Sequence, residues 1–236
     1  MLYILLVIIA GAFNMTGMIL IQGAMKYGHN SVTWAIGQSA LIIPFFCGLF
    51  LLGEKAELLK ILGAFLVVGG IITLSRIKSG NENSPHESNN RKWLAMTLSA
   101  FLIVGIAQAL QAATPYFSYQ DDFGIRPMLI MLGSMLAVVA GRLILRDGKF
   151  SMTRIMFIPA LILVAINIAC LKLLFMAIDS LASVNMVAAV YPIAIGTCIT
   201  GFAIYSMAVL KEKVNALIFG GTALIVAGII CFCLTK

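Results

Sequence analysis

Apolar positions in this chain do not alternate with polar ones; they come in long unbroken runs. From Met1 to Met25 the polar interruptions are Tyr3, Asn14, Thr16 and Gln22, and seven further runs follow. These extend from Val32 to Leu52, Leu58 to Ser75, Trp93 to Phe117, Pro127 to Leu145, Arg154 to Ile178, Val184 to Val209 and Ala216 to Leu234. Charged or turn-forming residues bound each run. About 20 apolar residues carry a helix across roughly 30 Å of hydrocarbon, which matches the length of these windows. Strands of a membrane barrel would alternate polar with apolar over about ten residues, so helices are the remaining way to satisfy the backbone in lipid. The pattern predicts an all-α protein, a polytopic transmembrane bundle of eight helices.

Composition agrees: 61% of residues are hydrophobic, 11% are charged, and the mean hydropathy is +1.05. No water-soluble domain of this length has that balance. The net charge of +7 sits at the ends of the runs, where it acts as a topology signal, and no nucleic-acid partner is expected. Cys47, Cys170, Cys198, Cys231 and Cys233 all fall inside apolar runs and behave as small hydrophobes. The two histidines, His29 and His86, lie in separate loops, and no metal-ligand spacing emerges. Nucleotide-binding loops and a nucleophile with its base are likewise missing from the pattern, so neither an enzyme nor a cofactor is expected.

A repeat organises the chain. GEKAELLKILGAFLVVGGII at 53–72 aligns with KEKVNALIFGGTALIVAGII at 211–230, placing Glu54-Lys55 on Glu212-Lys213, Gly63 on Gly221, Leu66 on Leu224, Val68 on Val226 and Gly70 on Gly228. Looser similarity sets Ser31-Val32 on Ser183-Val184 and Asn14 on Asn167. Runs one to three thus correspond to runs six to eight. Each copy has an odd number of spans and an even number separates them, so the copies would face opposite sides of the membrane. Inverted repeats of this kind are the building plan of many secondary transporters, with the solute site near the midplane. Gly63, Gly69, Gly70, Gly221 and Gly228 are expected on one face of their helices, where small residues let backbones approach.

The stretch LFLLGEK at 49–55 followed by LGAFLVVGGIITL at 62–74 resembles the closing part of one repeat in the drug/metabolite transporter superfamily, in its EamA-like members. The second copy departs from the pattern, with AVLKEK at 208–213 where a glycine usually precedes the glutamate. The resemblance implies two units of five helices. On that plan, residues 1–76 form an incomplete first unit of three helices, 77–92 a flexible linker, and 93–236 a complete second unit of five. The first run would then correspond to the family's third helix. Implied with it are secondary transport of a small organic metabolite by alternating access, a bacterial inner-membrane location, and a solute and the lipid bilayer as the partners. A shortened, non-transporting membrane protein is the alternative expectation.

Polar side chains inside hydrocarbon are costly and are the default candidates for a solute pathway. Gln108 and Gln111 lie three residues apart on the fourth run, with Pro115 continuing the face. They line a cavity or join helices by hydrogen bonds. Asn14 and Asn167 occupy equivalent places in the two copies. Trp34, Gln38 and Ser39 on the second run correspond in position to Met186, Val190 and Tyr191 on the seventh, with unlike chemistry. Pro44 and Pro192 fall within spans, where each removes a backbone donor and bends or opens its helix. Lys172 lies roughly 9 Å from its helix end at 1.5 Å per residue, so it either snorkels or pairs with a solute, with Asp179 as a possible partner.

All nine acidic residues lie in loops or at helix ends, so no carboxylate buried in the bundle is expected to exchange a proton for a cationic drug. That favours a neutral, zwitterionic or anionic metabolite over proton-coupled drug export. Basic residues crowd the side bearing Lys26, Arg76, Lys78, Arg91, Lys92, Arg146, Lys149, Arg154, Lys211 and Lys213, which the positive-inside rule assigns to the cytoplasm, with both termini outside. The family resemblance implies the opposite orientation. The segment RIKSGNENSPHESNNRK at 76–92 reads as a flexible connection between the units.

Overall fold

The structure is a computed structural model and describes residues 2–27, 30–55, 57–75, 90–117, 125–145, 154–208 and 216–234. The linker from 76 to 89, Glu212-Lys213, Lys236 and both histidines lie outside the described residues. Every regular element among the described residues is helical: α1 (Leu2–Ala24), α2 (Asn30–Gln38), α3 (Ile42–Phe50), α4 (Leu58–Ser75), α5 (Asn90–Ala112), α6 (Ile125–Leu145), α7 (Arg154–Ala182), α8 (Val190–Ala208) and α9 (Ala216–Cys233). Short 3-10 turns occupy Ser39–Leu41, Thr114–Phe117 and Val187–Ala189. α2 and α3 are two halves of one expected span, so the runs read from the sequence correspond to eight helices.

Proline explains the split. Pro44 is the third residue of α3; it donates no backbone hydrogen bond, and its ring crowds the carbonyl of the residue four back, Ala40. The helix therefore tightens into a 3-10 turn at Ser39–Leu41. Pro192 stands in the same relation to the turn at Val187–Ala189, as the third residue of α8. Here, though, the chain ahead of the turn is not helical: Asn185 has φ 56, a left-handed conformation that asparagine tolerates. α8 accordingly starts at Val190 rather than Val184, and Pro192 sits in a first helical turn, where its missing N–H costs little.

Among the described residues, four segments are long and apolar enough to cross a membrane: Tyr3–Ala24, Arg91–Tyr116, Ile125–Leu143 and Leu161–Ala182. The other apolar helices are shorter, among them Leu58–Thr73 and Phe219–Phe232. The lateral surface exposes Phe13, Phe65, Leu102, Leu136, Leu163 and Phe219, a composition suited to hydrocarbon.

α1 packs between α5 and α6, and α4 packs along α9. Close backbone approach and dispersion hold these helices together. Around Gly11 and Gly133 the backbones of α1 and α6 meet so closely that a Cβ on either glycine would collide with a carbonyl, of Ile130 or Ile8 respectively. Ser134 Oγ donates across this crossing to the Gly11 carbonyl at 3.1 Å, shared with Ile130 at 2.9 Å. On α4 and α9 a Cβ at Gly63 would stand 2.9 Å from the Gly228 carbonyl oxygen, and one at Gly70 would stand 2.6 Å from that of Gly221. The two helices are therefore antiparallel. Gly69, expected on the same face, has nothing within 4 Å of its Cβ position and lies outside this contact. A continuous apolar core runs through Phe45, Val67, Phe175, Val187, Ile225 and Phe232, with Phe45 edge-on to Phe232 at 6.1 Å. By contrast α7 leaves Ile158, Leu161, Ile162, Leu163, Val164 and Ile166 exposed along its first half.

Candidate functional site

Buried polar groups collect at one end of the bundle, where α3 and α5 finish and α4 and α8 begin. The residues after α3 make the corner. Leu51 and Leu52 both donate to the Cys47 carbonyl, and Gly53, at φ 72, turns the chain so that Glu54 N–H reaches the Gly48 carbonyl at 3.2 Å. That left-handed turn suits glycine. Glu54 then points inward and is only 4% exposed. Its Oε1 accepts the Ala188 backbone N–H at 3.0 Å, so a carboxyl from the loop after α3 caps the turn that opens α8. Oε2 has no partner among the described residues. Gly48 lies against the same spot, since a Cβ there would stand 2.7 Å from Ala188 Cβ. Burial pushes the Glu54 carboxyl above the ordinary carboxylate range, opposed by the backbone N–H groups of Ala188 and Val187 and by the charge of Lys60, which is itself buried.

This overturns the expectation that no carboxylate is buried in the bundle. Glu54 is a loop residue by position, yet the loop folds under the start of α8. The only sequence signal for it was the duplication of Glu54-Lys55 at Glu212-Lys213.

Next to this corner, Tyr191 Oη donates to Gln111 Oε1 at 3.0 Å, and both side chains are buried. Thr114 Oγ1 donates back to the Gln111 carbonyl at 2.7 Å, which secures the 3-10 turn that ends α5. Gln108, one helical turn earlier, is buried with its Oε1 unpartnered among the described residues. Of the residues singled out from the sequence, the fold thus unites Gln111 with Tyr191 and sets Gln108 on the same stretch of α5. Pro115 lies half-buried in the turn beyond them.

The remaining choices are placed elsewhere. Ser39 is buried in the 3-10 turn that splits the second span, Gln38 half-buried beside it, and Trp34 exposed. Asn14 is half-buried on α1, whereas Asn167 and Lys172 are exposed on α7. Asp179 serves Arg126 rather than Lys172: Arg126 Nη1 reaches both carboxylate oxygens at 2.7 Å, and Arg126 is fully buried beside the rings of Tyr3 and Phe175. Sequence reasoning missed this pair because Arg126 reads as a flanking charge just ahead of a span. It also missed Thr33, which accepts the Trp93 indole N–H at 2.7 Å near the opposite end. An apolar surface groove of about 420 Å³ along Phe219, Val226 and Ile230 of α9 shares no residue with the polar end.

No protein-family model matches the chain, and no curated protein matches it.

Proposed function

We propose that this chain is a multi-pass membrane carrier of the inner-membrane type, moving a small organic solute by rocking two inverted units about a polar interior. The observation that carries the reading is reciprocity between α4 and α9. In the repeat Gly63 is equivalent to Gly221 and Gly70 to Gly228, while in space Gly63 meets Gly228 and Gly70 meets Gly221. Each glycine touches the counterpart of its neighbour, the signature of a two-fold axis lying across the helices rather than along them. An axis in that direction is what an inverted repeat requires, and it supports the resemblance to EamA-like transporters. Gln108, Gln111 and Tyr191 supply buried hydrogen-bonding groups for a neutral, zwitterionic or anionic metabolite.

A second reading, a helical module without transport activity, draws on the exposed first half of α7, whose repeat counterpart α1 is enclosed by α5 and α6. Reconstitution separates the two. Purified protein in proteoliposomes should catalyse counterflow of at least one member of a panel of labelled amino acids, sugars, organic acids and nucleosides, and Gln108→Leu should reduce that flux without unfolding the protein. Folded protein that moves nothing in the panel would favour the second reading.

A further inference from the structure

Glu54 is used by neither the solute-facing glutamines nor the helix packing, and its surroundings are those of a group that changes state. It lies on the corner between α3 and α4, is almost wholly buried, and touches the opening turn of α8 across the boundary between the two units. One of its oxygens is satisfied by the Ala188 N–H and the other by nothing among the described residues. A neutral carboxyl tolerates that arrangement better, because its carbonyl oxygen accepts the Ala188 donor and, although its O–H is left without an acceptor, its own charge is not held in a dry place. An ionised carboxylate does not, since half its acceptor capacity would be buried unused.

We propose that Glu54 is a proton-operated latch: with a proton on its carboxyl it joins the α3–α4 corner to the start of α8 and shuts this end of the bundle, and loss of that proton to water releases the corner. The proton passes from the carboxyl to a water or buffer base at that face, and the carboxylate left behind recovers its hydration only if the corner lifts from Ala188. Gly48, pressed on Ala188 by the same corner, moves with it. The other titratable groups on the surrounding elements are Lys60 on α4, Tyr116 in the turn after α5, Tyr191 on α8 and the Arg126–Asp179 pair between α6 and α7, with Lys55 and Glu57 on the same loop. Lys60 favours the ionised form but does not offset burial.

The sign follows from linkage. Because the closed arrangement raises Glu54 above its ordinary value of 4.5, closure is fully favoured below that value and is lost as pH rises through the elevated one. As a coupling step for transport the latch rests on the carrier reading above; as a conformational switch it stands on the contacts alone.

Amide hydrogen exchange of the Val187–Ala189 segment in nanodiscs, corrected for intrinsic rates, tests it. Wild-type protection should be lost progressively as the pH is raised from about 5 to about 8. Glu54→Gln keeps the acceptor and cannot ionise, so the segment should stay protected throughout. Glu54→Ala lacks the acceptor and should leave it unprotected throughout, and Glu57→Gln should reproduce the wild-type profile. Wild-type protection that ignores pH, or a Glu54→Gln variant that still follows it, would overturn the latch without touching the carrier reading. Absent flux in proteoliposomes with the exchange profile intact would instead count against the carrier and leave the latch standing.

Discussion

Substituting Gly228 by alanine puts a methyl group 2.7 Å from the Gly63 carbonyl oxygen, 2.8 Å from Val67 Cγ2 and 3.0 Å from the Val67 backbone nitrogen. Ordinary contact for such an atom begins at 3.4 Å. The Val67 and Gly63 neighbours include backbone, which belongs to a whole helix and cannot swing aside, so α4 and α9 must part by roughly 0.5 Å or more along this seam. A gap of that size forfeits about a quarter of the dispersion well for the atoms lining it. Overpacking of this kind costs about 1–3 kcal/mol. Against it stands the gain from replacing a helical glycine, about 0.5–1 kcal/mol. Gly69→Ala and Gly220→Ala supply that gain alone, because neither site has an atom within 4 Å of the new methyl. Each control is one residue from a contact glycine on the same helix, so helix propensity cancels in the comparison. In a denaturing-detergent titration followed by circular dichroism, Gly228→Ala should be about 1–3 kcal/mol less stable than Gly220→Ala. Gly63→Ala, at 2.9 Å from the Gly228 oxygen, should fall short of Gly69→Ala by a similar amount. Equal stability of the contact and control variants would refute the close antiparallel seam, and with it the reciprocity on which the carrier proposal rests.

Other consequences follow from the polar contacts. Tyr191→Phe removes the donor to a buried Gln111 oxygen and should cost about 1–3 kcal/mol, while adding Gln111→Leu should restore part of it; simple additivity in that cycle would show that the bond is not formed. Arg126→Met strands Asp179 and should destabilise by about 3–5 kcal/mol, whereas the Arg126→Met/Asp179→Leu pair should recover most of the loss in the same titration. The hydrogen bond from Lys92 Nζ to Tyr27 Oη, at 3.0 Å, lowers the Tyr27 phenol below its ordinary value of 10.0, so Tyr27 ionises at lower pH than a free tyrosine. Lys92→Gln should move that titration back up, as read by tyrosinate absorbance; a profile unchanged by the substitution would show that the contact does not persist in solution.

What the chain by itself determined is its elements. Long apolar runs bounded by charge can satisfy their backbone only as helices, so the all-helical fold follows from residue type and length alone, without knowledge of any contact. The same holds for the duplicated glycine positions, since periodicity survives in one dimension. Tertiary structure decided which of those positions meet. Gly70 reaches Gly221 while Gly69 reaches nothing, although both are glycines at adjacent positions, because only one helix face turns toward α9. It also decided the fate of charges. Glu54 and Arg126 read in sequence as loop and flank residues, where solvent would be their neighbour. Whether such a residue is solvated or buried depends on what folds over it, here the opening turn of α8 and the end of α7, parts of the chain 134 and 53 residues away. Burial is a property of the packed neighbours and not of the residue, which is why the polar end of the bundle was legible only in part through Gln111 and Tyr191, and the burial of the Glu54 carboxyl was not legible at all.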